Sequence, residues 1–152
     1  MNDEPDDELI REVYARFGLA YYQSECLHRE LCMILAWSGL PSRDLITRPR
    51  VEEGLAQAFS LTLGDVAAKL KGVLSAELGA ELSEAVDRRN FLAHHFWFER
   101  AHLMFSVKDV PHLLLELEEY AALFDRLYAR LTQWAEAKWR ELVQCPKNST
   151  PG

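Results

Sequence analysis

The stretch "VPHLLLELEEYAALFDRLYARLTQW", residues 110–134, returns a large apolar side chain every third or fourth position: Leu113, Leu117, Tyr120, Phe124, Leu127, Leu131 and Trp134. A helical period lays these seven on one stripe, whereas a strand would throw them to alternating faces. The segment therefore predicts a long amphipathic helix, started by Asp109 and Pro111. The stripe must be buried against something, so the question passes upstream.

Two further segments answer it. From about Ser75 to Met104, Leu78, Leu82, Ala85, Leu92, Phe96 and Leu103 share a stripe. From about Pro5 to Ser38, Ile10, Val13, Phe17, Ala20, Ser24, Leu27, Leu31 and Ile34 follow the same spacing, with Asp6, Asp7 and Glu8 suited to the positive end of the helix dipole. Gly39 and Pro41 end that helix. After the loop "PSRDLITRPR", one short helix is expected near Val51–Phe59 and a second from Thr62, where "TLGD" has capping-box spacing. The expected fold class is all-α: a helical bundle of three long helices plus one or two short ones, in a single domain over 1–145. The end, 146–152, "PKNSTPG", reads as a disordered tail.

Composition narrows the function classes. Of 152 residues, 24 are acidic and 17 basic, giving a net charge of −7, the wrong sign for coating nucleic acid non-specifically. The three cysteines, Cys26, Cys32 and Cys145, lack zinc-ligand spacing and suit free thiols in a reducing compartment. The opening "MNDEPDDE" is the opposite of a signal peptide, and the apolar runs are too short for a membrane span. A cytoplasmic protein with no membrane association is expected.

Chemistry concentrates in "DRRNFLAHHFWFER", residues 87–100. Arg89 falls in the middle of the core stripe, which demands a carboxylate partner or a solvent-lined cleft. Asp87, Asn90 and His94 share another face, about 140° from Arg89 in the case of His94. Phe91, Phe96, Trp97 and Phe98 make the helix apolar all round, so a second cover is expected, supplied by another copy of the chain. A homodimer would also bring an arginine and a histidine from different protomers to one place.

Arg89-Asn90-x-x-x-His94, late in a long helix of a small helical bundle, resembles the motif of the HEPN superfamily (higher eukaryote and prokaryote nucleotide-binding domains), and the resemblance covers most of the chain. It implies a HEPN-like bundle and a metal-independent endoribonuclease that dimerises to form one cleft from two motifs. On that reading His94 is general acid or base toward a ribose 2′-hydroxyl, Arg89 stabilises the charged transition state and Asn90 orients phosphate or imidazole. Arg88 and His95 become RNA contacts, no cofactor is needed, and a toxin or defence role beside a nucleotidyltransferase-like antitoxin is implied. Where the HepT-like branch has His-x-Tyr, this chain has Phe96, which removes any regulation through that tyrosine. Other members keep the fold only as a binding or dimerisation module.

A metal reading competes. "ECLH" (Glu25, His28) and "ERAH" (Glu99, His102) have the Glu-x-x-His spacing of di-metal carboxylate bundles, with Glu116 or Glu119 and Glu52 or Glu53 as further ligands. His95, Glu99 and His102 also align on a continuous helix, a set more often simply solvated. His112 reads as a solvent-facing residue, and Arg43, Arg48 and Arg50 as a small basic loop open to RNA or a protein.

Overall fold

A computed structural model describes residues 3–144, which leaves Cys145 and the expected tail at 146–152 outside the described residues. The elements are α1 (Asp7–Ser38), a 3-10 turn (Arg43–Leu45), α2 (Arg48–Phe59), α3 (Leu63–Lys69), α4 (Ala76–His94), α5 (Phe96–Arg100), a second 3-10 turn (Ala101–Phe105) and α6 (Val110–Gln144). No strand occurs among the described residues. The fold is an all-α helical bundle.

The local signals act where the sequence put them, with small displacements. Asp6, not Pro5, begins the first helix: its carboxylate accepts from the Leu9 amide at 2.8 Å, and Pro5 stands outside. Helix α2 starts at Arg48, before the expected Val51, because Pro49 fits its first turn. The capping box at Thr62 forms in full, Thr62 accepting from the Asp65 amide and Asp65 accepting from the Thr62 amide.

Three long helices carry the core. Near its start α1 joins α6 through Arg16 and Glu118, 2.8 Å apart. Near its end Trp37 lies 6.5 Å from the Trp134 ring and 6.1 Å from that of Trp139. These two helices therefore run parallel. Helix α4 runs against both: Arg130 of α6 holds Glu77 and Glu81 at the start of α4, while Arg88, near its end, lies over Tyr120. Leu27, Leu31, Leu82, Leu92, Leu113, Leu117, Phe96 and Phe124 fill the space between them and are almost wholly buried. Helix α2 lies so close to α1 that a Cβ at Gly54 would come within 3.3 Å of the Ala36 backbone.

The expected helix over 75–104 is interrupted. At His95 the backbone turns to φ −127°, ψ −26°, a new helical segment starts at Phe96, and 3-10 geometry follows from Ala101. No glycine or proline marks the break. It coincides with aromatic packing across helices: Phe96 is fully buried, its ring 5.4 Å from Phe17, and Trp97 lies 4.9 Å from Phe17 and 5.4 Å from Tyr14. Among the described residues no helix is long and apolar enough to cross a membrane.

Candidate functional site

Arg89 leaves α4 toward α1. One of its terminal nitrogens is 3.6 Å from a Glu25 carboxylate oxygen, and its guanidinium carbon is 6.0 Å from the centre of the Tyr21 ring. Its side chain is 18% exposed, while Glu25 is 48% exposed, so the pair sits at the mouth of the α1–α4 seam. The Nε of Arg89 is buried without a hydrogen-bond partner. The carboxylate that a core-facing arginine demands is thus found, but it does not satisfy the whole guanidinium.

Asn90 and His94 occupy the other side of α4, one turn apart and both exposed. His94 is the last residue of the helix, and His95 caps it. Arg89 and His94 are therefore not brought together within one chain. The separation expected from the helical wheel persists because α4 is regular up to the histidine.

Arg88 is half exposed, 3.8 Å from Glu84, with its guanidinium 5.5 Å from the Tyr120 ring. Burial pushes the Tyr120 hydroxyl above its usual pKa, and the hydrogen bond from Arg88 partly opposes that. His95 is exposed and its ring stacks on Phe91 at 6.3 Å. Both remain open to an incoming ligand, though Arg88 already has internal company.

Arg100 anchors the end of the stretch. Its Nε and a terminal nitrogen donate to Glu116 at 3.0 and 3.2 Å, the Tyr120 hydroxyl donates to the same carboxylate, and the guanidinium lies 5.0 Å from the Phe91 ring. The hydrogen bond to Glu116 is the main reason the Arg100 pKa is raised. This arrangement also corrects part of the expected interface. Phe91 and Trp97 find their second cover inside the chain, against α6 and α1 respectively, whereas Phe98 remains 94% exposed.

The Glu-x-x-His residues are committed elsewhere. Glu25 pairs with Arg89, Glu99 and Glu116 with Arg100, and Glu52 with Arg48. The break at His95 and the 3-10 geometry after Arg100 destroy the alignment of His95, Glu99 and His102. Among the described residues no three histidine, cysteine or acidic side chains come together as a metal-ligand group. His112 and the basic residues Arg43, Arg48 and Arg50 are exposed.

Two features beside the motif have roles the sequence did not reveal, since Glu25 and His28 read there only as possible metal ligands. Tyr21 and Glu25 are Arg89's partners, and the arginine's place on the core stripe was the only signal for them. His28, one turn beyond Glu25, has a buried Nε2 without a partner and lines a surface pocket of about 380 Å³ together with Glu25, Tyr22 and Phe59. Cys26 and Cys32 are free thiols, and burial raises the pKa of Cys32, which makes it a poor nucleophile. Comparison of this chain with protein-family models, with curated proteins and with solved structures finds no match.

Proposed function

We propose that this chain is a HEPN-type protein that cleaves RNA without metal, as a homodimer, through Arg89, Asn90 and His94. The observation that carries the reading is the division of the motif across α4. A phosphate-binding cation is held at the α1–α4 seam, while an amide and an imidazole stand one turn apart on the open side. The one side chain able to act as acid or base, His94, thus lacks a cation on its own face, an arrangement that a second protomer would complete.

In the proposed reaction one His94 accepts the proton of a ribose 2′-hydroxyl as its oxygen attacks the adjacent phosphorus. The bond from phosphorus to the 5′ oxygen breaks, and the His94 of the second protomer returns a proton to that leaving oxygen. The products are a 2′,3′-cyclic phosphate and a 5′-hydroxyl end. Arg89 bears the charge gathering on the phosphoryl oxygens, Asn90 orients the phosphate, and Arg88 and His95 contact the RNA backbone. The cellular role is that of a cytoplasmic toxin or defence component, with a nucleotidyltransferase-like antitoxin as partner.

A silent binding module is the second reading, favoured by the Glu25 carboxylate that occupies Arg89 and by the net charge of −7. The test is cleavage of mixed RNAs in excess EDTA, with Arg89→Ala and His94→Ala alongside. The ribonuclease reading expects chelator-resistant cleavage, lost at least 100-fold in either variant. Absence of cleavage across RNAs supports the module, and activity retained in both variants sinks the site assignment.

A further inference from the structure

The outward face of α1 is built like an interface. Glu8, Arg11, Ala15, Gly18, Leu19, Tyr22, Cys26 and Arg29 fall within an arc of about 100° on this helix. Apart from half-buried Cys26, all of them are exposed, Leu19 at 45% and Tyr22 at 63%. Gly18 has nothing within 4 Å of where its Cβ would be, and no positive φ requires a glycine there. A glycine inside a helix costs about 1 kcal/mol relative to alanine. The fold of the single chain gives no return for that cost, but close approach of another backbone would.

We infer that α1 pairs with α1 of a second copy of this chain, antiparallel, about a two-fold axis between Gly18 and Leu19. The order of residues decides for this occupant and this direction. Working outward from that midpoint, the axis sets Gly18 opposite Leu19, Ala15 opposite Tyr22, Arg11 opposite Cys26 and Glu8 opposite Arg29. Small therefore meets large at the centre and acid meets base at the rim. A parallel pairing would instead set Glu8 on Glu8, Arg11 on Arg11 and Arg29 on Arg29. Neither Glu8 nor Arg29 takes part in an ion pair among the described residues, so both are available for the partner. Such a contact is isologous, each residue meeting its counterpart twice. Tyr14 and Phe59, both more than half exposed, border the face and widen it.

This inference deepens the homodimer part of the reading above and does not depend on RNA being cut. The experiment is sedimentation equilibrium of the full chain without RNA, on the wild type, Glu8→Arg, Arg29→Glu, the double reversal and Leu19→Asp. The wild type should sediment at twice 17.5 kDa. Each single reversal turns two attractive pairs repulsive and should weaken association roughly tenfold, and the double reversal should restore it. Leu19→Asp should give monomer with an unchanged circular dichroism spectrum, because Leu19 is neither in the hydrophobic core nor packed against it. A monomeric wild type, single reversals without effect, or a double reversal that fails to rescue would each overturn the proposal. So would a dimer that survives Leu19→Asp.

Discussion

Replacing Arg89 by methionine tests whether this arginine serves the fold or something else. Methionine fills much the same space with no polar atom. On the favourable side, the change removes a buried Nε that has no partner, an arrangement that costs about 1–3 kcal/mol. On the unfavourable side it loses the Glu25 contact at 3.6 Å, limited to about 0–1 kcal/mol because Glu25 is 48% exposed and screened. It also loses the interaction with Tyr21, whose ring centre at 6.0 Å lies at the edge of effective range and contributes about 0.5 kcal/mol. The balance favours the variant by about 1 kcal/mol, or a rise of about 2–4 °C in Tm for a chain of this size.

The assay is urea unfolding followed by far-ultraviolet circular dichroism, with Arg100→Met as the opposite case. Arg100 is fully engaged by Glu116 and lies over Phe91, and its loss strands a Glu116 that is only 25% exposed. With both groups partly solvated, that variant should lose about 1–2 kcal/mol. If Arg89→Met loses more than about 1 kcal/mol, the arginine is structural and its buried Nε is satisfied in solution. The fold alone would then account for Arg89. Stability retained together with loss of RNA cleavage or binding would place Arg89 among residues kept for function.

Three other perturbations probe the frame around the site. Phe96→Ala removes a fully buried ring in contact with Phe17, Phe91 and Trp97 and should cost about 3–5 kcal/mol in the same urea titration. Thr62→Ala deletes the hydroxyl that caps α3 and should cost about 1 kcal/mol, seen as a lower urea midpoint with an unchanged slope. Glu30 has its pKa raised by burial and then by Glu136, so its ionised form disfavours folding. The stability it withholds is absent at low pH and grows as pH rises from the ordinary glutamate range through the raised folded value. Glu30→Gln should therefore raise Tm at pH 7 and lose that advantage under acid conditions, and an advantage independent of pH would refute the assignment.

The three long helices were legible because each carries its stripe over many turns, and the Thr62 cap because its chemistry is local. The break at His95 was not. "FLAHHFWF" contains no helix breaker, and the interruption is tied to Phe17 and Tyr14, which lie on another helix. Arg89's need for a carboxylate could be read from its position, but the choice of Glu25 among 24 acidic residues depends on how α1 and α4 are aligned. The outward face of α1 was hidden for a different reason: leucine, tyrosine and alanine lie on both sides of that helix, so one periodic stripe drew attention from the other.

Alignment also connects the two proposals. Arg89 meets α1 at Tyr21 and Glu25, and Phe96 meets it at Phe17. The stretch from Arg89 to Phe96 thus lies level with 17–25 of α1, a span that contains Gly18 and Leu19. A two-fold axis through that midpoint brings the Phe96 ends of the two stretches to about the same height on either side of the α1–α1 seam, while the two Arg89 lie about 13 Å apart along it. If cleavage needs both motifs, Leu19→Asp should abolish it although it touches no residue of the motif, and the monomer should keep its helical content. Full activity from that monomer would mean that one chain suffices. Arg89 and His94 would then have to meet by a movement at the end of α4, and the composite site would be wrong even if the dimer is right.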